Sequence, residues 1–117
     1  MNFENIKLEV QDGIARLTLN RPDRLNSFND AMHAELRVAL DHIQETRDAR
    51  VLVLTGAGRG FSAGQDLADR AMQIANGRMP DVGNVVEANY KPLALRLQNL
   101  RVPTIAAVNG IAAGAGC

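Results

Sequence analysis

Residues 51–67, VLVLTGAGRGFSAGQDL, restrict this chain to few architectures. VLVLTG (51–56) is a continuous apolar run without alternation, the pattern of a strand covered on both faces. It runs straight into Gly56, Gly58, Gly60 and Gly64, with Ala57, Ser62 and Ala63 between them. Such residues permit positive φ and let other groups come close to the main chain. A second apolar run, VPTIAAVNG (102–110), reads as another buried strand and leads into IAAGAGC.

The segments between these runs complete an α/β reading. IKLEV (6–10) and IARLTL (14–19) alternate around QDG, a hairpin signal with Gly13 suited to positive φ. Pro22 ends any strand in NRPDRLNSF. NDAMHAELRVALDHIQETRD (29–48) then aligns Met32, Leu36, Ala39, Leu40 and Ile43 on one stripe of an amphipathic helix, with Asn29 or Ser27 as its cap. DLADRAMQIANG (66–77) is predicted as a short helix closed by Gly77, and RMPDVGN as a loop. From Val86, apolar residues recur at Tyr90, Leu93, Leu97 and Leu100, with Pro92 kinking the helix or starting a fresh turn. Strands alternating with helices argue for some parallel pairing in one α/β domain.

Composition removes several classes of function. Thirteen basic residues balance thirteen acidic ones, and with three Phe, one Tyr and no Trp there is no stacking platform, so nothing recruits nucleic acid. No apolar run nears the ~20 residues of a membrane span, and MNFENIKLEV has no signal-peptide core. A single cysteine, Cys117, excludes an internal disulfide and fits a cytoplasmic setting. His33 and His42 lie on one predicted helix, face different directions and have no Cys or His companions, so no metal site is expected.

The small-residue turns have two readings. One is close packing at strand ends. The other is anion binding by bare main chain, where small residues let a substrate oxygen reach free N–H groups. Two donors from two loops on one oxygen would form an oxyanion hole. GRGFSA (58–63) also fits G-x-G-x-x-[GA], the fingerprint of a dinucleotide-binding turn. Against that reading, a hairpin and a long helix precede the match, and no strand ending in an acid follows about 20 residues later. No Lys follows a glycine, so a Walker loop is absent.

Together, LTLNRPDRLNSFND, LTGAGRGFSAGQDL and VPTIAAVNGIAAGAG resemble the crotonase (enoyl-CoA hydratase/isomerase) superfamily, in the same order and spacing. The fuller match is most similar to the branch that isomerises ring epoxides of phenylacetyl-CoA. The resemblance implies a crotonase-like ββα spiral and an acyl-CoA substrate, with coenzyme A part of that substrate and no separate cofactor. It also implies homo-trimers or hexamers. It assigns the two backbone donors to Ala63 and Ala115, and places Gly64, Gln65 and Leu67 beside the bound thioester. Asp66 is the family's A-G-x-D acid and equally a helix N-cap. Arg24 aligns with a position that meets CoA phosphates, and an exposed loop arginine is also simply solvated. Tyr90, Leu93 and Leu97 border the acyl pocket or pack in the core. Cys117 has no assigned role.

The family chain is more than twice this length. The resemblance therefore makes 1–117 the N-terminal part of such a domain, with the general acid or base and the trimer-forming helices expected beyond Cys117. Isomerase or hydratase action would belong to the longer chain, and a lone fragment would at most bind acyl-CoA.

Overall fold

The structure, a computed structural model, describes residues 2–67, 77 and 86–117. Strands β1 (Ile6–Gln11) and β2 (Ile14–Leu19) form an antiparallel hairpin in full register, Ile6 opposite Leu19 and Gln11 opposite Ile14. Asp12 and Gly13 both take positive φ, 55° and 81°, as a tight two-residue hairpin turn demands. Strand β3 (Val51–Gly56) pairs parallel to β2, and β5 (Thr104–Ala106) parallel to β3. The sheet order is β1-β2-β3-β5. A smaller sheet pairs β4 (Gly60–Ser62) with β6 (Ile111–Ala112), again parallel. The mixed α/β architecture expected from the sequence is therefore present.

Helix α1 (Asp30–Glu45) covers one face of the larger sheet. Asn29 caps it, its side-chain oxygen accepting from Met32 N at 2.8 Å. The predicted stripe of Met32, Leu36, Ala39, Leu40 and Ile43 is buried against Ile6, Ala15, Leu17, Leu19 and Leu52. A π-helical turn (Val86–Tyr90) leads into helix α2 (Lys91–Gln98), with Pro92 in its first turn, so the proline begins a new helix. Tyr90, Leu93, Leu97 and Leu100 pack, half-buried, on the core.

Two expectations need correction. The run at 102–110 is not a strand buried on both faces: β5 spans only Thr104–Ala106 and is exposed throughout, with Ile105 54% exposed. Composition reports that a run is apolar, whereas burial requires a partner; β5 lies at the sheet edge and pairs with β3 alone. In β3, likewise, only Leu52 is fully buried, because α1 covers one face and the other is partly open. The predicted helix at 66–77 and loop at 78–84 fall, apart from Asp66, Leu67 and Gly77, outside the described residues.

Burial of the α1 stripe should outweigh its cap. We expect Ile43→Ala to cost about 2–5 kcal/mol and Asn29→Ala only about 1 kcal/mol, read as shifts in urea unfolding midpoint.

Candidate active site: two glycine-rich turns brought together

The loop between β2 and α1 organises the site. Asn26 is completely buried, with a positive φ of 55° that asparagine tolerates better than most residues. Its Nδ2 donates to Ala57 O and Gly60 O, both at 2.9 Å, while its Oδ1 accepts from Arg21 N at 2.8 Å. Its carbonyl accepts from Ser62 Oγ at 2.9 Å, and that hydroxyl in turn accepts from Gly64 N at 3.3 Å. One side chain thus ties the loop to both ends of the first glycine-rich turn.

Asn109 does the same from the second turn. Its Oδ1 accepts from Gly56 N at 3.1 Å, and its Nδ2 donates to Gly58 O at 3.1 Å and Gly60 O at 3.3 Å. Ala113 N donates to Ser62 O at 3.0 Å. A Cβ on Gly116 would stand 2.2 Å from Ser62 O, so only glycine fits there. A Cβ on Gly64 (φ +102°) would come 3.0 Å from Ala113 O and 3.3 Å from Ala115 N. The two turns therefore touch main chain to main chain at Gly64 and Ala115.

Which N–H groups remain free follows from the bonding. Ala63 N donates to Leu25 O at 3.0 Å, and an N–H already given to a carbonyl is not available to a ligand oxygen. Gly64 O accepts from Phe28 N at 2.7 Å, and Asp66 N donates to Phe28 O at 2.8 Å. In a trans peptide the N–H points opposite to the C=O, so pinning Gly64 O toward Phe28 aims the Gln65 N–H the other way. Among the described residues, neither Gln65 N nor Ala115 N has a hydrogen-bond partner.

The remaining site residues have varied settings. Asp66 is buried and ion-paired with Arg21 at 2.8 Å, a contact the sequence reading did not single out. The signal was in NRPD: an arginine just before a helix-starting proline, forty-five positions from the acid, needs the fold to bring the two together. Arg24 ends the short turn Pro22–Arg24 and is exposed, as is Leu67. Gln65 is half-buried, and its side-chain oxygen accepts from the Tyr90 hydroxyl. Leu93 and Leu97 line an apolar cavity of about 300 Å³ that also borders Phe61, Ala112, Ala115 and Cys117. Tyr90 lies outside that lining and instead meets the rings of His33 (4.5 Å) and Phe28 (5.9 Å) edge-on.

GRGFSA is not a phosphate-binding turn into a helix. Gly60–Ser62 within it is itself strand β4, paired with β6, so the turn at Gly58–Gly60 leads into a strand. No described helix is long and apolar enough to cross a membrane, and no three His, Cys, Asp or Glu side chains cluster among the described residues.

The chain belongs to the enoyl-CoA hydratase/isomerase family, whose profile matches residues 9–117. It is similar to 1,2-epoxyphenylacetyl-CoA isomerase of Escherichia coli K12, 55% identical over 97% of this chain and 43% of that protein. Among solved structures, Pseudomonas aeruginosa PA4980 superposes with a TM-score of 0.88 at 40% identity, over 99% of this chain and 48% of that one. An enoyl-CoA hydratase from Bacillus anthracis gives a TM-score of 0.84 at 33% identity, over 97% of this chain and 43% of the other. The chain spans less than half the length of these relatives.

Beneath the site, His33 is buried and stacked on Phe28 at 5.3 Å, with neither ring nitrogen bonded among the described residues. Burial, helped by the Arg37 guanidinium and opposed by Asp30, pushes its pKa from 6.5 to about 4. Between those values the unfolded chain binds more protons than the folded one, so stability falls as pH drops through that window. Urea midpoints should decline from pH 6.5 to about 4 in the parent protein, and His33→Phe should flatten that slope.

Proposed function

We propose that this chain is the oxyanion-binding part of a CoA-thioester isomerase. The Gln65 and Ala115 N–H groups would together hold the thioester oxygen while an enolate, or a polarised conjugated thioester, forms. The observation carrying this reading is the meeting of the two turns at Gly64 and Ala115, which leaves these N–H groups unspent. Gln65 replaces Ala63 as donor because the Ala63 N–H is committed to Leu25 O.

Negative charge that develops on one oxygen is stabilised most by donors already fixed in place, since nothing must reorganise during reaction. Gly64 and Gly116 permit the close approach, Asn26 fixes the first turn to the loop before α1, and Asn109 fixes the second turn to the first. The apolar cavity beside Ala115 would take the acyl group, and exposed Arg24 would meet CoA phosphates. Asp66 serves structure through Arg21.

Likeness to the epoxyphenylacetyl-CoA isomerase favours isomerisation over hydration and a ring-epoxide substrate from aromatic degradation. Polarising the thioester would there assist rearrangement to the seven-membered oxepin. The general acid or base and the trimer-building helices would belong to the part of the relatives this chain does not span, acting in a cytoplasmic homo-trimer or hexamer.

The product of the whole gene should convert 1,2-epoxyphenylacetyl-CoA to a product of identical mass; gain of one water would instead mean hydration or epoxide hydrolysis, and either that or no conversion would sink the reading. Replacing the Gln65 amide by an ester deletes its N–H while keeping the side chain, with the Gly64 carbonyl left as a weaker acceptor, and should lower kcat by about 10²–10³-fold. The same replacement at Ala63 should lower stability and leave kcat within a few-fold of the parent's.

A further inference from the structure

The aim of the Gln65 N–H depends on a peptide unit flanked by glycine. Gly64 sits at φ +102°, a conformation with little steric definition of its own, so the Gly64–Gln65 plane needs outside restraint. Phe28 supplies part of it, through the 2.7 Å bond to Gly64 O and the 2.8 Å bond from Asp66 N. These bonds hold the carbonyl end of the plane and the next N–H. Rotation of Gln65 itself is checked at its side chain, whose oxygen accepts from the Tyr90 hydroxyl.

Tyr90 is well placed to impose a fixed position. Its ring meets Phe28 edge-on at 5.9 Å and His33 edge-on at 4.5 Å, and His33 stacks on Phe28. Phe28, meanwhile, makes the main-chain bonds to either side of Gln65. A closed circuit results: the peptide groups on either side of Gln65 to Phe28, the Phe28 ring to Tyr90, and the Tyr90 hydroxyl back to the Gln65 side chain. Tyr90 also precedes α2, whose Leu93 and Leu97 wall the cavity beside Ala115.

From this circuit we infer that Tyr90 is a positioning residue: its hydroxyl, by holding the Gln65 side chain, keeps the Gln65 N–H aimed at the thioester oxygen and links that donor to the helix lining the acyl cavity. The inference rests on the thioester reading above. It assigns Tyr90 no contact with the reacting atoms.

The test is Tyr90→Phe in the product of the whole gene, which keeps the ring contacts and removes only the hydroxyl. The direct readout is the infrared carbonyl stretch of bound acetoacetyl-CoA carrying ¹³C at the thioester carbon. Two donors polarise that carbonyl and lower its frequency below the solution value. In Tyr90→Phe the downshift should shrink, kcat should fall about 10- to 100-fold as for a slightly misplaced group, and KM should stay near the parent's. Gln65→Met breaks the same bond from its other end, so it should reproduce both effects, and the double variant should be no worse than the poorer single. If Tyr90→Phe does not fold, Gln65→Met carries the measurement alone. A full downshift and unchanged kcat with the bond broken would overturn the assignment of Tyr90. Absence of any downshift in the parent protein would overturn the thioester reading, and this inference with it.

Discussion

The structure turns on the buried amide of Asn26. A buried polar side chain is costly unless its groups are bonded, and here both the NH₂ and the oxygen are: to two carbonyls of the first glycine-rich turn and one N–H of its own loop. Because these partners are main-chain atoms, the amide sets the path of the backbone rather than the position of one neighbour. Leu25, just before it, is held at φ 51°, a conformation a branched side chain seldom adopts, and its carbonyl takes the Ala63 N–H. The loop from 21 to 28 is thus a template against which the turn at 57–66 is laid. Asn109 repeats the device from the other side, so two asparagines orient the turns that small residues alone would leave loose.

This scaffolding suits chemistry that needs no reactive side chain. A backbone N–H is a strong donor of fixed direction, and in a trans peptide its direction is set by whatever holds the adjoining carbonyl. Phe28 holds that of Gly64, and Leu25 occupies the neighbouring N–H of Ala63, so the hydrogen-bond ledger leaves particular donors unspent. Glycine contributes approach rather than reactivity, since a Cβ at Gly116 would overlap Ser62 O at 2.2 Å. The ion pair of Arg21 with Asp66, 14% and 8% exposed, locks the end of the same segment. Both side chains are largely buried, so the pair belongs to the framework.

Much of this was legible in the chain, for physical reasons that differ by element. The hairpin was plain because Asp12-Gly13 supplies positive φ between alternating strands. The α1 stripe was plain because helical periodicity spans four turns and one face is wholly buried. The fate of 102–110 was not: its composition is that of a buried strand, but β5 lies at the edge and pairs with β3 alone. The family was legible in the glycine-rich turns, whereas the sequence points to Ala63 as a donor whose N–H the fold gives to Leu25 O. Local sequence contains no record that Leu25, thirty-eight positions earlier in the chain, would occupy that N–H.

By itself, then, the amino-acid order determined where the chain turns and which helix face is apolar, since both follow from φ preferences and from spacing within a few residues. It also determined that two turns would be bare enough for another group to approach the main chain. Tertiary structure alone decided which N–H groups stay free, which acid meets which arginine, and that Tyr90 reaches Gln65. Those outcomes depend on partners far apart in the sequence. A hydrogen bond is a relation between two groups in space, and no single stretch of chain encodes it.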